Sequence, residues 1–322
     1  MLERITSPAD LRTLTGEQLT DLADEIRAAI VAAVARSGGH LGPNLGVVEL
    51  TIALHRVLES PRDRIVWDTG HQAYVHKMLT GRAGAFSSLR TAGGLAGYPS
   101  REESAHDIVE NSHASTALSW AAGLAWPERD REDDARRRTV AVVGDGALTG
   151  GMAYEALNNI GHHRLPVTVV LNDNGRSYAE TISRLSRRMT DLRTDPRVHR
   201  LRRLLDSVNA RLPWSRFAQR VTEANVRALK TAVSDAPALQ SFVEALGVDY
   251  LGPFDGHDIT ALERALRKSQ NVDGPVLLHV LTEQGKGYEP AEQDIEKRLP
   301  DTSQFDPETG LAAPSGHRSW TA

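Results

Sequence analysis

The first hydrophobic pattern in the chain has the period of an amphipathic helix. Thr15, followed three residues later by Gln18, forms a capping box that marks a helix start. Apolar side chains then recur at helical spacing, at Leu19, Leu22, Ile26, Ile30 and Val34. The pattern predicts a helix that begins at Thr15 and ends at Ser37–Gly39, where two glycines interrupt it.

Farther along the chain, short β-rich runs alternate with helical stretches. These runs are Arg64–Asp68, Thr139–Val143, Val167–Leu171 and Val276–Leu281. Most of them lack polar alternation, which is typical of central strands in a parallel sheet covered on both faces. The sequence therefore predicts an α/β fold with a parallel central sheet and helices on both faces.

One domain is expected over residues 1–300, with an Arg-rich insertion at about 176–240. Residues 181–230 hold 13 Lys and Arg against 4 Asp and Glu, although the whole chain carries a net charge of −4. The insertion is either a solvated helical face or a docking surface or lid for an acidic partner or a phosphorylated substrate. Residues 301–322 are rich in Pro, Gly, Ser and Thr and are predicted to be a linker-like tail.

Composition narrows the class of protein. The chain has 322 residues, of which 40% are hydrophobic and 25% charged, as in globular domains. It contains no cysteine, which excludes disulfides, thiolate metal sites and a cysteine nucleophile. The net charge does not indicate a surface that binds nucleic acid or a membrane. No apolar run is typical of a membrane span or a secretory signal. We expect a cytoplasmic protein.

Glycines and oxygen-bearing side chains follow two of the predicted strands. Gly144-Asp145-Gly146 and Ala147 come after Thr139–Val143, and Asn172-Asp173-Asn174 follows Val167–Leu171. A strand that ends in glycines before a helix directs backbone N–H groups at an anion, and Gly146 would let the backbone approach a phosphate. Asp145 and Asn174 would add hard oxygen ligands, which suit Mg²⁺. Each motif alone is a common turn, but the pair predicts a diphosphate–Mg²⁺ site.

Three of the twelve histidines lie in Gly- or Ser-rich turns. They are His40, His71 and His113. Imidazoles form hydrogen bonds to phosphate oxygens and exchange protons near neutral pH, so we take these three as candidate site residues. We interpret most of the others, such as His55 and His162, as structural or surface residues.

Six motifs share one family resemblance. They are residues 38–50, 64–81, 144–159 and 172–178, Gly252–Asp258 and Gly285–Tyr288. They resemble the N-terminal part of the 1-deoxy-D-xylulose-5-phosphate synthase family, in the transketolase superfamily, and are similar to actinobacterial members. The resemblance implies the thiamine-diphosphate-binding fold. It also implies a transferase of isoprenoid biosynthesis that decarboxylates pyruvate and transfers two carbons to an aldehyde such as glyceraldehyde 3-phosphate.

The resemblance also implies roles for individual residues. The catalytic candidates are His40, His71, His113 and Lys286. Those for binding thiamine diphosphate are His71, His113, Ser115, Gly144, Asp145, Gly146, Ala147, Asn174 and Lys286. Those for binding Mg²⁺ are Asp145, Asn174 and the main-chain carbonyl of Arg176.

The resemblance covers only the diphosphate-binding part of a three-domain family. By this resemblance, we expect these 322 residues to lack the pyrimidine-binding and C-terminal domains, and with them the glutamate that activates the cofactor and the groups that bind the acceptor phosphate. We therefore expect a separate chain with a pyrimidine-binding domain to complete the enzyme, self-association as a further contact, and no activity without the partner. The alternatives are a non-catalytic cofactor-binding or regulatory subunit and a truncated form of a full synthase.

Overall fold

A five-stranded sheet forms the centre of the computed structural model, which describes residues 1–110, 112–131, 136–175, 239–294 and 299–312. All neighbouring strands are parallel, in the order β1-β2-β3-β5-β4. The strands are β1 (Arg64–Trp67), β2 (Thr139–Gly144), β3 (Val167–Asp173), β4 (Asp249–Asp255) and β5 (Val276–Leu281). The predicted parallel sheet is confirmed.

The first predicted helix is also confirmed, because α1 spans Gly16–Ser37 and is capped by Thr15, whose side chain accepts from the N–H of Gln18. The other α-helices that have both ends within the described residues are α2 (Gly42–Leu45), α3 (Val48–Val57), α4 (Tyr74–Lys77), α5 (Ala117–Ala125), α6 (Asp145–Leu148), α7 (Gly151–His162), α8 (Ile259–Ser269) and α9 (Glu289–Gln293). None of the helices in the described ranges is long and apolar enough to cross a membrane.

Helices cover both faces of the sheet. On one face, Ala141 and Val169 pack with residues of α5 and α7 such as Ala121 and Leu157. On the other face, the alternate strand residues pack against α3 and α8, as Val142 does in the cluster that contains Leu54 and Leu266. Because every strand points the same way, the carboxyl ends of all five meet at one edge of the sheet.

The strand β4 is absent from the sequence prediction. It lies at the edge of the sheet, most of its residues are only half-buried, and its register with β5 shifts between Leu251 and Phe254, around Gly252 and Pro253. An edge strand of this kind carries no unbroken apolar run and can accommodate a proline. Its sequence therefore lacks the pattern by which the other four strands were predicted.

The described part of the predicted tail packs against the domain. Thr302 forms a backbone bridge with Gly39, and Phe305 is 6% exposed within the cluster around α1. Residues 301–312 thus differ from the linker that their composition predicts, because one aromatic side chain and a short bridge attach them to the domain. Residues 313–322 and most of the Arg-rich insertion lie outside the described residues.

Candidate functional site

Two acidic side chains lie together where β2 and β3 end. Gly144 pairs with Asn172 in the parallel register, so Asp145 and Asp173 follow at neighbouring positions. Burial raises the pKa of Asp145 to about 7, and the charge of Asp173 contributes in the same direction. Two adjacent carboxylates of this kind favour a bound cation, because a cation removes their repulsion.

Asp173 is held in place by polar contacts on both of its oxygens. Oδ1 accepts from the N–H of Gly175 at 3.1 Å, and Oδ2 lies 2.7 Å from Nε2 of His279. Because an ionised carboxylate only accepts, Nε2 of His279 is the donor, and Nδ1 of the same ring lies 2.8 Å from the hydroxyl of Tyr250. These contacts fix the turn that carries Asn174.

The turn after β1 is connected to the loop that precedes α5. Asp68 is 1% exposed, and its carboxylate accepts from the N–H groups of Ser115 at 2.9 Å and Ala117 at 3.0 Å. The hydroxyl of Ser115 donates to the carbonyl of Ala147 at 2.6 Å. The segments after β1 and β2 and before α5 are therefore joined by three hydrogen bonds.

A second line of hydrogen bonds joins the ends of β1, β3 and β5. Nδ2 of Asn172 donates to Oε1 of Gln72 at 3.0 Å, and the hydroxyl of Thr282 donates to Oδ1 of Asn172 at 2.5 Å. Asn172 and Gln72 are 1% and 2% exposed, so the line is buried. It places the segment that follows β5, which carries Lys286, beside the two acidic strand ends.

His40 and His71 lie next to each other, with ring centroids 5.4 Å apart. Asn44 holds both turns, because its Nδ2 donates to the carbonyl of His40 at 2.7 Å and to that of His71 at 2.8 Å. Nε2 of His40 lies 3.3 Å from the hydroxyl of Tyr98. The structure thus brings together two of the three histidines predicted for the site.

Both of these imidazoles are neutral near physiological pH. Burial lowers the pKa of His71 to about 4, with a further contribution from His40, and burial also lowers the pKa of His40. Within the described ranges, Nδ1 of His71 is buried without a hydrogen-bond partner. These side chains can therefore form hydrogen bonds as neutral groups, whereas the sequence suggested imidazoles that exchange protons near neutral pH.

Lys286 lies in a loop shaped by two glycines. Gly285 and Gly287 have φ angles of 81° and 77°, and a Cβ atom at Gly287 would lie 2.7 Å from the side chain of Arg27. The N–H of Gly285 donates to the carbonyl of Gly42 at 3.0 Å, which attaches this loop to the segment after His40. The Lys286 side chain is 39% exposed, and its amine donates to Glu283 at 3.3 Å.

The remaining residues predicted for the site are His113, Asn174, Arg176 and Ser115. His113 is exposed, two residues before Ser115 on the loop that Asp68 holds. Asn174 follows Asp173, whereas Arg176 lies outside the described residues, so its carbonyl as a metal ligand stays a prediction. The Ser115 hydroxyl donates within the protein, and its contact with a phosphate likewise stays a prediction.

The residues present at this edge fit a diphosphate with Mg²⁺. Asp145 offers a carboxylate whose pKa is raised beside a second carboxylate, and Asn174 offers an amide oxygen after the adjacent strand. In the part of the chain that the structure describes, no three His, Asp or Glu side chains converge to hold a metal by themselves. A cation here would therefore also use carbonyl and phosphate oxygens, which is the coordination that Mg²⁺ prefers.

Sequence reasoning missed several residues that hold the site together. Asp68, Gln72 and Asn172 lie inside motifs named above. In those motifs the residue types pointed only to the histidines and to Asn174 as site residues. A buried carboxylate directly after β1 could have been inferred from its position at a strand end. The contact between Gln72 and Asn172 could not be inferred in this way, because the two residues lie 100 residues apart along the chain.

Comparisons with known proteins cover nearly the whole chain. The sequence pattern described as 1-deoxy-D-xylulose-5-phosphate synthase matches residues 2–282. The chain is 55% identical to 1-deoxy-D-xylulose-5-phosphate synthase 1 of Streptomyces coelicolor, over 100% of this chain and 48% of that protein. It is 52% identical to the synthase of Mycolicibacterium paratuberculosis, over 100% of this chain and 50% of that protein. The chain thus spans about half the length of these relatives.

Solved structures support the fold. A transketolase variant from Pichia stipitis matches with a TM-score of 0.61 at 18% identity, over 92% of this chain and 42% of that chain. Transketolase from Campylobacter jejuni matches with a TM-score of 0.59 at 17% identity, over 85% of this chain and 39% of that chain. At this identity the likeness shows the α/β fold alone, while the sequence match carries the family. The chain therefore belongs to the 1-deoxy-D-xylulose-5-phosphate synthase family.

Proposed function

We propose that this chain provides the diphosphate and Mg²⁺ end of a thiamine-diphosphate-dependent transferase site. The substrates are pyruvate and an aldehyde such as glyceraldehyde 3-phosphate. The observation that carries the proposal is the pair of acidic strand ends, Asp145 and Asp173, at the edge to which hydrogen bonds attach the segments of His71, Ser115 and Lys286. The family match over residues 2–282 supports it.

Different residues of this chain would bind Mg²⁺, the diphosphate and the rest of the cofactor. Asp145, Asn174 and the carbonyl of Arg176 would hold Mg²⁺, and backbone N–H groups at Gly146 and Ala147 would meet phosphate oxygens. Thiamine diphosphate, when bound, supplies the carbanion that adds to the keto acid. His40 and His71 would act as neutral hydrogen-bonding groups, because burial keeps both imidazoles uncharged at pH 7. Lys286 would contribute a positive charge, and His113 would line the cofactor from the loop before α5.

We further propose that a pyrimidine-binding domain on a separate chain completes the site. The exposed side chains of Trp120 and Met152, on the adjacent helices α5 and α7, support a contact surface near the site. On this proposal, the chain binds thiamine diphosphate only weakly by itself and turns over no pyruvate.

The test uses the purified chain with thiamine diphosphate and Mg²⁺, alone and mixed with the C-terminal half of the Streptomyces coelicolor relative. Carbon dioxide release from pyruvate and product formation with glyceraldehyde 3-phosphate are measured. We expect no turnover by the chain alone and turnover in the mixture. Turnover by the chain alone would overturn the requirement for a partner. No cofactor binding in either sample would overturn the proposed site.

A further inference from the structure

A buried carboxylate on α3 contacts two side chains that hold opposite ends of the loop with Lys286. Oε1 of Glu49 accepts from Nη2 of Arg27 at 2.5 Å, and Oε2 lies 3.0 Å from Nδ1 of His257. Glu49 and Arg27 are 8% and 7% exposed. None of these three residues belongs to the diphosphate and Mg²⁺ site described above.

Both partners of Glu49 reach the backbone of the loop. Nε of Arg27 donates to the carbonyl of Lys286 at 3.0 Å, and the N–H of Glu283 donates to Nε2 of His257 at 2.9 Å. Because Nε2 of His257 accepts, its Nδ1 carries the proton that it donates to Glu49. One carboxylate therefore sets both the tautomer of His257 and the orientation of Arg27.

Charge and packing support the same arrangement. Burial alone would raise the pKa of Glu49, but the hydrogen bond from His257 and the charge of Arg27 bring it below its usual value, so the group is ionised at neutral pH. The Arg27 side chain also packs on Gly287, where a Cβ atom would meet it at 2.7 Å. Because Gly287 has no side chain, the guanidinium of Arg27 has room to bind the carbonyl of Lys286.

We propose that Glu49 is a positioning residue that fixes the loop 283–287 through Arg27 and His257, and thereby holds the amine of Lys286 at the cofactor. The role of Lys286 at the cofactor rests on the proposed function, whereas the fixing of the loop does not. The Gly252–Asp258 motif gains a function in this way, because His257 connects it to the loop with Lys286.

The first experiment measures amide hydrogen exchange in the whole chain. Glu49→Gln keeps the size of the side chain and removes its charge. We expect exchange in residues 283–288 to become at least about tenfold faster, while exchange in β5 stays as in the unmodified chain, because only local opening becomes easier. Unchanged exchange in residues 283–288 would overturn the proposal.

The matched control is Glu263→Gln. Glu263 also pairs with an arginine at 2.5 Å, but its partners Arg56 and Arg267 lie on α3 and α8. We expect this variant to leave residues 283–288 unchanged, and an equal acceleration there would overturn a specific role for Glu49. If Glu49→Gln accelerates exchange throughout the chain, Arg27→Lys is the deciding variant. It keeps a positive charge beside Glu49 and removes the Nε donor that binds the carbonyl of Lys286. Faster exchange confined to residues 283–288 then supports the proposal, and any other result overturns it.

The second experiment follows the amine of Lys286 directly. Its acetylation by an N-hydroxysuccinimide ester is measured by mass spectrometry in the mixture with the C-terminal half of the Streptomyces coelicolor relative, with and without thiamine diphosphate and Mg²⁺. We expect the cofactor to slow acetylation several-fold in the unmodified chain and in Glu263→Gln, and to lose this effect in Glu49→Gln. An absence of protection in the unmodified chain would count against the proposed role of Lys286 at the cofactor, while the exchange experiment would still decide whether Glu49 fixes the loop. Full protection in Glu49→Gln would overturn the positioning of the amine.

Discussion

Asp145 lies beside Asp173 at the carboxyl ends of neighbouring parallel strands, where burial and the charge of Asp173 raise the pKa of Asp145 to about 7. Each acid comes from a different motif, and the register of β2 with β3 brings them together. The pair has its own support, because His279 and the N–H of Gly175 hold Asp173 in place. A cation that binds here relieves a repulsion that the fold itself creates.

Loss of an oxygen ligand should weaken Mg²⁺-dependent cofactor binding. We expect Asp145→Ala and Asn174→Ala each to raise the Kd for thiamine diphosphate with Mg²⁺ at least about tenfold, because Mg²⁺ depends on a small set of well-placed oxygens. Calorimetry on the assembled complex measures the effect. Asp273→Asn is the control, since its side chain is 98% exposed. Unchanged affinity in both alanine variants would contradict the assignment of the metal ligands.

His71 should make the unfolding free energy depend on pH. Its pKa is about 4 in the folded chain against 6.5 as the ordinary value, so the unfolded chain binds more protons between these two pH values. The unfolding free energy should therefore fall as pH drops from 6.5 to 4, by on the order of 2 kcal/mol for this residue. Urea unfolding at pH 7 and pH 4.5 measures the loss, and we expect a smaller loss in His71→Gln. Equal losses in that variant, in the unmodified chain and in a control with the exposed His162→Gln would refute the prediction.

Asp68 should contribute more to stability than an ordinary helix cap. Asp68→Ala leaves the part-buried N–H of Ser115 and the buried N–H of Ala117 without their acceptor, so we expect a loss of about 3 kcal/mol. Asp258→Ala is the matched control. Among the described residues this exposed carboxylate accepts only from the N–H of Ala261, so its loss should cost about 1 kcal/mol. Urea unfolding compares the two. A cost for Asp68→Ala no greater than that of the control would show that this connection contributes little.

The buried cluster around Asp107 should support stability without affecting the cofactor. Asp107 is 3% exposed, accepts two bonds of 2.7 Å from Arg82, and lies 3.0 Å from Nε2 of His76. Asp107→Asn removes the closer carboxylate partner of Arg82 and leaves Glu103 at 3.3 Å, so we expect a loss of about 3 kcal/mol in the unfolding free energy. Calorimetry should find the affinity for thiamine diphosphate unchanged in the folded protein. A large loss of affinity with intact stability would place this cluster in the functional site.

The sequence alone determined the elements with strong local patterns. The capping box at Thr15 and the apolar spacing after it predicted α1, and the apolar runs predicted β1, β2, β3 and β5, because a strand buried on both faces needs apolar residues at every position. The glycines around Asp145 and the motif at Asn174 marked the edge of the sheet that carries the candidate site. These features are local, and a local pattern can be read without knowledge of the fold.

Only the tertiary structure decided how the motifs are joined. The hydrogen bonds from Asn172 to Gln72 and from Arg27 to Lys286 span 100 and 259 residues along the chain, and no local pattern specifies such partners. The burial that keeps His71 neutral depends on the packing around both histidine turns. The edge strand β4 and the segment around Phe305 likewise depend on tertiary contacts, with β5 and with the cluster around α1. Their own sequences contain too little apolar pattern to predict these contacts.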